Sequence, residues 1–468
     1  MGPERFETII IGTGFSGLGL ASRMKKAGRT DFVLLEKAEA LGGTWRFNTY
    51  PGAECDVASV LYSYSFAPDT RWSHKWAKQP QILDYIVRFA RDQQLEPHIR
   101  YKAHVVRAEW LEGEWLVTLE SGDQLRARFL VSAIGQLHHP SVPEFEGLDR
   151  YAGPAFHTAE WDHSVDLAGR DVACIGTAAS AVQLIPEVAK TARKLTVYHR
   201  SPNWLIDKPD RAYNRFEKWL ARVFPPFAKY YRLMIWCMGE YVLLPTNRGN
   251  RLTAAILKFQ HNRKLKKAFP DDPQMRERLT PDYPIGARRI LLTDNYADAL
   301  ARDNVELVFD PVERFTTDGI VAGGRERRHD AVAFATGFVT NPFLKEIDVI
   351  GEGGLSLRER WAEGAEAYLG VITSGFPNLF MLYGPNTNTG HTSIIFKLEQ
   401  QFKLVMKLIG AAGPGEVRVK PDAEAAFNAE MQSRLRDMMW AKIDESWYKD
   451  GERITNNWPG GSVEFRPF

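Results

Sequence analysis

The strongest constraint on this chain is a glycine-rich turn pattern that occurs twice. Residues 6–11 (FETIII) form an apolar run that ends in Gly12-Thr13-Gly14-Phe15-Ser16-Gly17. A helix-patterned stretch follows over 18–27, and a second apolar run over 32–35 ends at Glu36. Strand, turn, helix and strand in that order describe a dinucleotide-binding unit. The glycines allow a tight turn and let the backbone approach a pyrophosphate, whose charge meets the helix N-terminus. Glu36, 24 residues after Gly12, stands where a carboxylate accepts from a ribose hydroxyl.

The pattern returns at 171–175, followed by Gly176-Thr177-Ala178-Ala179-Ser180-Ala181, a helix-like 182–191 and a strand 194–199. Here the residue 24 positions on is Arg200, next to Ser201. A carboxylate suits a free ribose 2'-hydroxyl, whereas an arginine beside a hydroxyl suits a 2'-phosphate. The first unit is therefore expected to hold FAD and the second NADPH. Ala178 and Ala181 replace the second and third glycines. A methyl at the second position costs clearance, so a slightly shifted or looser nucleotide is expected there.

Composition narrows the function classes. Lys and Arg number 60 against 58 Asp and Glu, a formal net charge of +2, which provides no electrostatic case for a nucleic acid or an anionic membrane. Cys55, Cys174 and Cys237 are far apart and odd in number, which fits a reduced cytosolic protein and leaves neither a dithiol nor a metal spacing. The apolar start over 8–21 follows Glu4 and Glu7 and is broken by glycines, unlike a signal sequence. The apolar patch 233–239 is seven residues long, short of the roughly 20 a spanning helix needs. A soluble, cytoplasmic protein without a transmembrane segment is expected.

Further strands are expected at 116–119, at 129–133 running into Ile134-Gly135, and at 331–335 running into Thr336-Gly337-Phe338. Such strand ends open onto the crevice where nucleotides lie. Residues 205–285 change character: aromatic-rich, proline-punctuated and helix-patterned over 216–224, 230–244 and 252–269. A helical cap packed on the second nucleotide domain is favoured over a membrane-docking surface. Helices are expected at 395–409 and 423–442. The fold class is α/β, with two Rossmann-like dinucleotide-binding domains and a helical insertion in the second. The expected division is 1–148 and 330–468 for the FAD domain and 149–329 for the NADPH domain.

Three stretches bring in a family. Residues 151–162, Tyr151-Ala-Gly153-Pro-Ala-Phe-His157-Thr-Ala-Glu-Trp161-Asp162, resemble the FxGxxxHxxxW(P/D) fingerprint of type I Baeyer-Villiger monooxygenases, with Tyr for the leading Phe. Gly42-Gly43-Thr44-Trp45, Tyr50-Pro51-Gly52 and Asp56 match that family's second signature, and 376–387 resembles its late flavin-domain segment. The resemblance spans nearly the whole chain. It implies NADPH reduction of FAD, addition of dioxygen to give a C4a-peroxyflavin, and conversion of a ketone to an ester or lactone, with sulfoxidation as a side activity.

The same resemblance implies the site residues. The arginine that keeps the peroxide anionic falls on Arg289, its orienting carboxylate on Asp56, and a neighbouring 2'-phosphate contact on Arg288. Gly12, Gly14, Ser16, Gly17 and Glu36 are implied to hold the FAD pyrophosphate and ribose. Thr44, Trp45, Arg46, Phe47, Asp56 and Tyr62 line its middle and ring, and Val105 meets the adenine. Gly176, Thr177, Ala178, Ala179, Ser180, Ala181, Val182 and Gln183, with Arg200, Ser201, Arg288 and Arg289, are implied to hold NADPH. Glu54 and Cys55 touch the nicotinamide end, and Trp447 lies near its ribose. His157 falls in an interdomain linker and is not expected to be catalytic; Trp161 is structural. Two competing functions stay open at this point: a hydroxylating or N/S-oxidising flavin-containing monooxygenase of related fold, and an NADPH oxidase that releases peroxide.

Overall fold

Each glycine turn sits at the carboxyl end of a strand in its own sheet. In the computed structural model, which describes residues 2–340, 343–444 and 446–465, the strand Glu4–Ile11 pairs in parallel with Phe32–Leu35 on one side and Gln124–Ser132 on the other. Ile99–Arg100 extends the sheet beyond Phe32–Leu35. Glu114–Leu119 and Val105–Leu111 extend it antiparallel beyond Gln124–Ser132, and Asp348–Ile350 completes that edge. Leu379–Met381 pairs with the end of Gln124–Ser132. The central strands are aliphatic without alternation because both faces are covered: Ile9 and Ile10 are wholly buried on opposite sides. The helices Phe15–Lys26 and Ile394–Ala411 pack together over one face, where Leu18, Phe402 and Val405 meet. Trp115, Val117 and Met381 fill the other.

The second sheet is wholly parallel, in the order Val305–Val308, Lys194–Tyr198, Asp171–Ile175, Ala331–Phe334, Ala155–His157. Its crossover helix, Ala179–Thr191, buries Val182, Ile185 and Val188 against it. The chain leaves the first sheet after Ser132, builds the second and returns at Asp348–Ile350. Segments 133–154, 335–340 and 343–347 thus pass between the sheets beside the two turns.

Between Lys194–Tyr198 and Val305–Val308 lie the helices Arg215–Val223, Pro225–Met238, Leu244–Asn247, Arg251–Ala268 and Pro273–Arg278. The continuous helix expected over 230–244 is instead interrupted by a π turn, Gly239–Leu243. A Cβ on Gly239 would come 2.2 Å from the His391 carbonyl, so the backbone is pressed against that loop where the helix widens. The helix expected over 423–442 ends at Arg436, and Met439–Lys442 form a separate 3-10 turn. The helical segment is apolar on two sides. Leu257 and Leu265 are buried inward, while Phe216, Tyr230 and Phe259 stand 64, 62 and 67% exposed. No helix among the described residues is long and apolar enough to cross a membrane.

Candidate active site

Both glycine turns open onto one cavity of about 1220 Å³. Gly12 has φ +104°, and a Cβ on it would lie 2.7 Å from the Ala133 carbonyl oxygen. Gly176 repeats this at φ +123°, with a hypothetical Cβ 2.3 Å from the Ala335 carbonyl oxygen. Only glycine fits where the turn passes so close to the neighbouring strand end in the left-handed region. The helices that follow begin at Gly14 and Ala178 with no side-chain cap. Their first N–H groups are therefore left to an anion from the cavity.

Ala178 carries no backbone strain. Its backbone, φ −85° and ψ −160°, matches that of Gly14, φ −82° and ψ −166°. Both are extended conformations open to any residue, so the expected loss of clearance does not arise from the backbone. At the third position a Cβ on Gly17 would lie 2.0 Å from the Gly12 carbonyl oxygen, so that glycine serves helix packing. Its counterpart Ala181 is wholly buried in the core below the second turn.

Glu36 is 5% exposed at the end of its strand. One of its carboxylate oxygens accepts from the Thr13 N–H at 3.0 Å and the Thr13 hydroxyl at 2.5 Å, the other from the Ala38 N–H at 3.0 Å. The acid is thereby held against the turn, with lone pairs remaining for a ribose. At the second unit Arg200 is exposed on the wall. Arg288 Nη1 donates to Ser201 Oγ at 3.3 Å while its guanidinium lies over the Tyr283 ring at 4.8 Å. Thr177 donates through Oγ1 to the Ser201 carbonyl at 2.8 Å, joining turn and strand end. Arg200 and the Arg288–Ser201 pair thus line the same cavity, a donor set for phosphate.

Between the turns Arg289 is ion-paired with Asp56. Side-chain exposures of 39 and 22% open onto the cavity, whose wall both residues form. The Asp56 carboxylate holds the Arg289 guanidinium above its already high range, against the opposing effect of burial. It remains a cation at any workable pH. The thiol and phenol groups around the pair stay neutral. Burial raises the Cys55 thiol and the Tyr62 hydroxyl well above their usual ranges and pushes Tyr448 up to about 12. Trp45 Nε1 donates to Tyr62 Oη at 3.1 Å.

The loop carrying Asp56 is clamped to the second unit. Gln183 accepts from the Tyr50 hydroxyl at 2.7 Å and the Glu54 N–H at 3.2 Å, and donates to the Glu54 carbonyl at 3.0 Å. Glu54 is also ion-paired with Lys78 and with the buried Lys208.

Of the residues expected at the site, Gly17, Arg46, Ala181 and Val182 do not line the cavity. Gly17, Ala181 and Val182 sit on helix faces turned to the cores. All the others do line it, including Val105 and Trp447. Residues the sequence reading omitted are Thr13, Tyr50, Gln136, Tyr383 and Lys208. Gln136 is 4% exposed, donates to the Tyr383 carbonyl at 2.7 Å and leaves its Oε1 without a partner among the described residues. The signals available were the threonine between two turn glycines and the tyrosine in the 376–387 segment. One further group was invisible in sequence spacing: His138, His139 and Glu346 bring ligand-type atoms within 4.8 Å of one another, although Lys37 Nζ already lies 3.2 Å from Glu346.

The family model described as pyridine nucleotide-disulphide oxidoreductase matches residues 9–221; all three cysteines of this chain are free. A Baeyer-Villiger monooxygenase of Pseudomonas aeruginosa is 37% identical, over 98% of this chain and 88% of the relative. One of Streptomyces coelicolor is 39% identical, over 99% and 90%. The solved structure of OTEMO in complex with FAD and NADP superposes with a TM-score of 0.88 at 27% identity, covering 99% of this chain and 97% of that one. With two nucleotide turns, a guanidinium paired to a carboxylate between them and this likeness over nearly the full chain, the protein belongs to the Baeyer-Villiger monooxygenase family.

Proposed function

We propose that the protein is an FAD-dependent monooxygenase that uses NADPH and dioxygen to convert ketones to esters or lactones. The observation that carries this reading is the Arg289–Asp56 pair on the wall of a cavity shared by both nucleotide turns. The residues present fit both cofactors. At the first turn they are the uncapped helix start after Gly12, the Glu36 carboxylate and the neutral Trp45–Tyr62 contact. At the second they are the equivalent helix start at Ala178 and the Arg200, Ser201 and Arg288 donors. Gly12, Gly14, Ser16 and Glu36 would hold the FAD pyrophosphate and ribose, Thr44 to Tyr62 its ring, and Val105 its adenine edge. Gly176 to Ser180 would hold the NADPH pyrophosphate and Arg200 with Arg288 its 2'-phosphate.

When bound, FAD reduced by NADPH would supply the activated oxygen for the reaction. Arg289 would place a permanent positive charge where negative charge develops on the reacting oxygens, beside thiol and phenol groups that are neutral at pH 7. Asp56 orients the guanidinium and lowers the cost of keeping it charged away from bulk water. The raised Cys55, Tyr62 and Tyr448 groups give up no proton and add no competing anion. Gln183 holds the 50–56 loop to the NADPH side, so a shift of either unit reaches Asp56 directly. We assign the FAD domain to residues 1–148 and 330–468 and the NADPH domain to 149–329.

The test is incubation of the purified flavoprotein with NADPH, labelled dioxygen and a ketone panel, with gas chromatography and mass spectrometry of the products. An ester or lactone carrying one labelled oxygen is expected. Release of peroxide equal to the NADPH consumed, with no oxygenated product from any ketone, would refute the reading.

A further inference from the structure

The helices Arg215–Val223 and Pro225–Met238, packed on each other within the segment between the strands of the second sheet, present an outward surface that no other described residue covers. On Arg215–Val223, Phe216 and Trp219 are 64 and 57% exposed, one turn apart, with their rings stacked at 5.8 Å. On Pro225–Met238, Tyr230 and Leu233 are 62 and 53% exposed with the same spacing. A soluble surface rarely leaves apolar stripes of this kind on consecutive helices without a partner.

The charge of the same segment identifies that partner. Residues 211–269 hold thirteen Lys and Arg against two acids, Glu217 and Glu240, although Arg248, Arg263, Lys264 and Lys267 are ion-paired with Glu464, Asp207 and Asp298 outside that stretch. Both acids are engaged, Glu217 by Arg211 and Lys75 and Glu240 by His391. Arg215, Lys218, Arg222 and Lys229 are exposed and make no ion pair among the described residues. The near balance of the whole chain therefore conceals a strongly basic region. The whole-chain balance hides it because the fold keeps these cations apart from most of the acids.

We propose that this face docks on the surface of an anionic phospholipid bilayer, with its aromatic and aliphatic residues at the headgroup and acyl boundary and its cations against the lipid phosphates. Apolar stripes with Trp and Phe, bordered by Lys and Arg, are what an interfacial surface of this kind requires. A second copy of the chain is a poor occupant, because two such basic faces would be brought together. A nucleic acid would meet the cations and leave the aliphatic stripe in water. The face is fixed to the body of the protein: Arg232 Nη1, on the inner side of its helix, donates to the Val60 and Ser63 carbonyls at 2.6 and 3.0 Å.

The experiment is co-sedimentation of the flavin-loaded protein with vesicles of phosphatidylcholine alone or mixed with phosphatidylglycerol. Light scattering reports its oligomeric state. Binding to the mixed vesicles and not to the neutral ones is expected. Phe216→Glu with Trp219→Glu, and separately Lys218→Glu with Arg222→Glu, should each weaken it by about tenfold or more. Flavin absorbance and Tm unchanged in both variants show that each is folded. Three results would overturn the proposal: no vesicle binding by the parent protein, equal binding to both vesicle types, or a self-associated parent that the same substitutions render monomeric.

Discussion

Replacing Arg289 with alanine separates oxygenation from cofactor binding, and its size follows from the geometry. A preformed cation at developing negative charge is worth about 3–4 kcal/mol, a factor of roughly 10²–10³ in rate. Truncation also uncovers the Asp56 carboxylate, which the guanidinium contacts directly. At an effective dielectric near 20, an uncompensated charge at a separation of about 6 Å would oppose the developing charge by about 3 kcal/mol. Product formation from a ketone should therefore fall by on the order of 10³-fold or more in Arg289→Ala. Neither nucleotide turn touches the substitution, so flavin content should stay within about twofold. The double variant Arg289→Ala/Asp56→Ala should be no slower than the single one, since it removes the bare carboxylate together with the cation. The assay is ester formed per flavin by gas chromatography, with flavin content read from absorbance. Ester formation within tenfold of the parent by the single variant, at equal flavin loading, would show that another group carries the charge.

Arg200→Ala should raise KM for NADPH by about 10–100-fold and leave KM for NADH nearly unchanged, because one charge-assisted contact to a 2'-phosphate is lost. Equal effects on both would place Arg200 outside that contact. Ala178→Gly should change KM for NADPH by less than about threefold, because the alanine already has the extended backbone of Gly14. Gly176→Ala, with a methyl 2.3 Å from the Ala335 carbonyl oxygen, should lower Tm and abolish NADPH use. A well-folded, NADPH-active Gly176→Ala protein would contradict the turn geometry. Stability should fall on acidification from pH 6.5 to 4. Burial lowers His157, His199, His261 and His329 to about 4. Each therefore contributes stability above the unfolded-state value of about 6.5 that is lost as pH drops towards the folded value, about 1–3 kcal/mol per ring. Calorimetric Tm independent of pH across that window would disprove the burial of these rings.

The two nucleotide units were legible because each is local. Gly12 and Gly176 occupy backbone conformations that exclude a side chain, and Glu36 and Arg200 lie at a fixed offset along a short crossover. Within the turns, adjacent residues could not be sorted so well. On a helix each residue rotates by about 100° from the last, so Ala181 and Val182 face the core while Gln183 reaches the cavity. Arg46 was placed by its neighbours in the signature, yet Trp45 and Phe47 line the wall and it does not. The Gln183 clamp on Tyr50 and Glu54, and the Lys208 contact with Glu54, join residues more than a hundred positions apart. No spacing rule reaches that far.

The amino-acid sequence by itself determined the two strand-turn-helix units, the different sugar-phosphate chemistry at each, and the family signatures. These depend on steric limits and charges intrinsic to single residues and their near neighbours. Only the tertiary structure decided that Asp56 and Arg289, on separate segments, share one cavity wall between the turns. It also decided that the apolar side of a basic helical segment faces outward. Both outcomes depend on how two sheets and their covering helices pack, because contact and exposure belong to the assembled surfaces and to no stretch of chain alone.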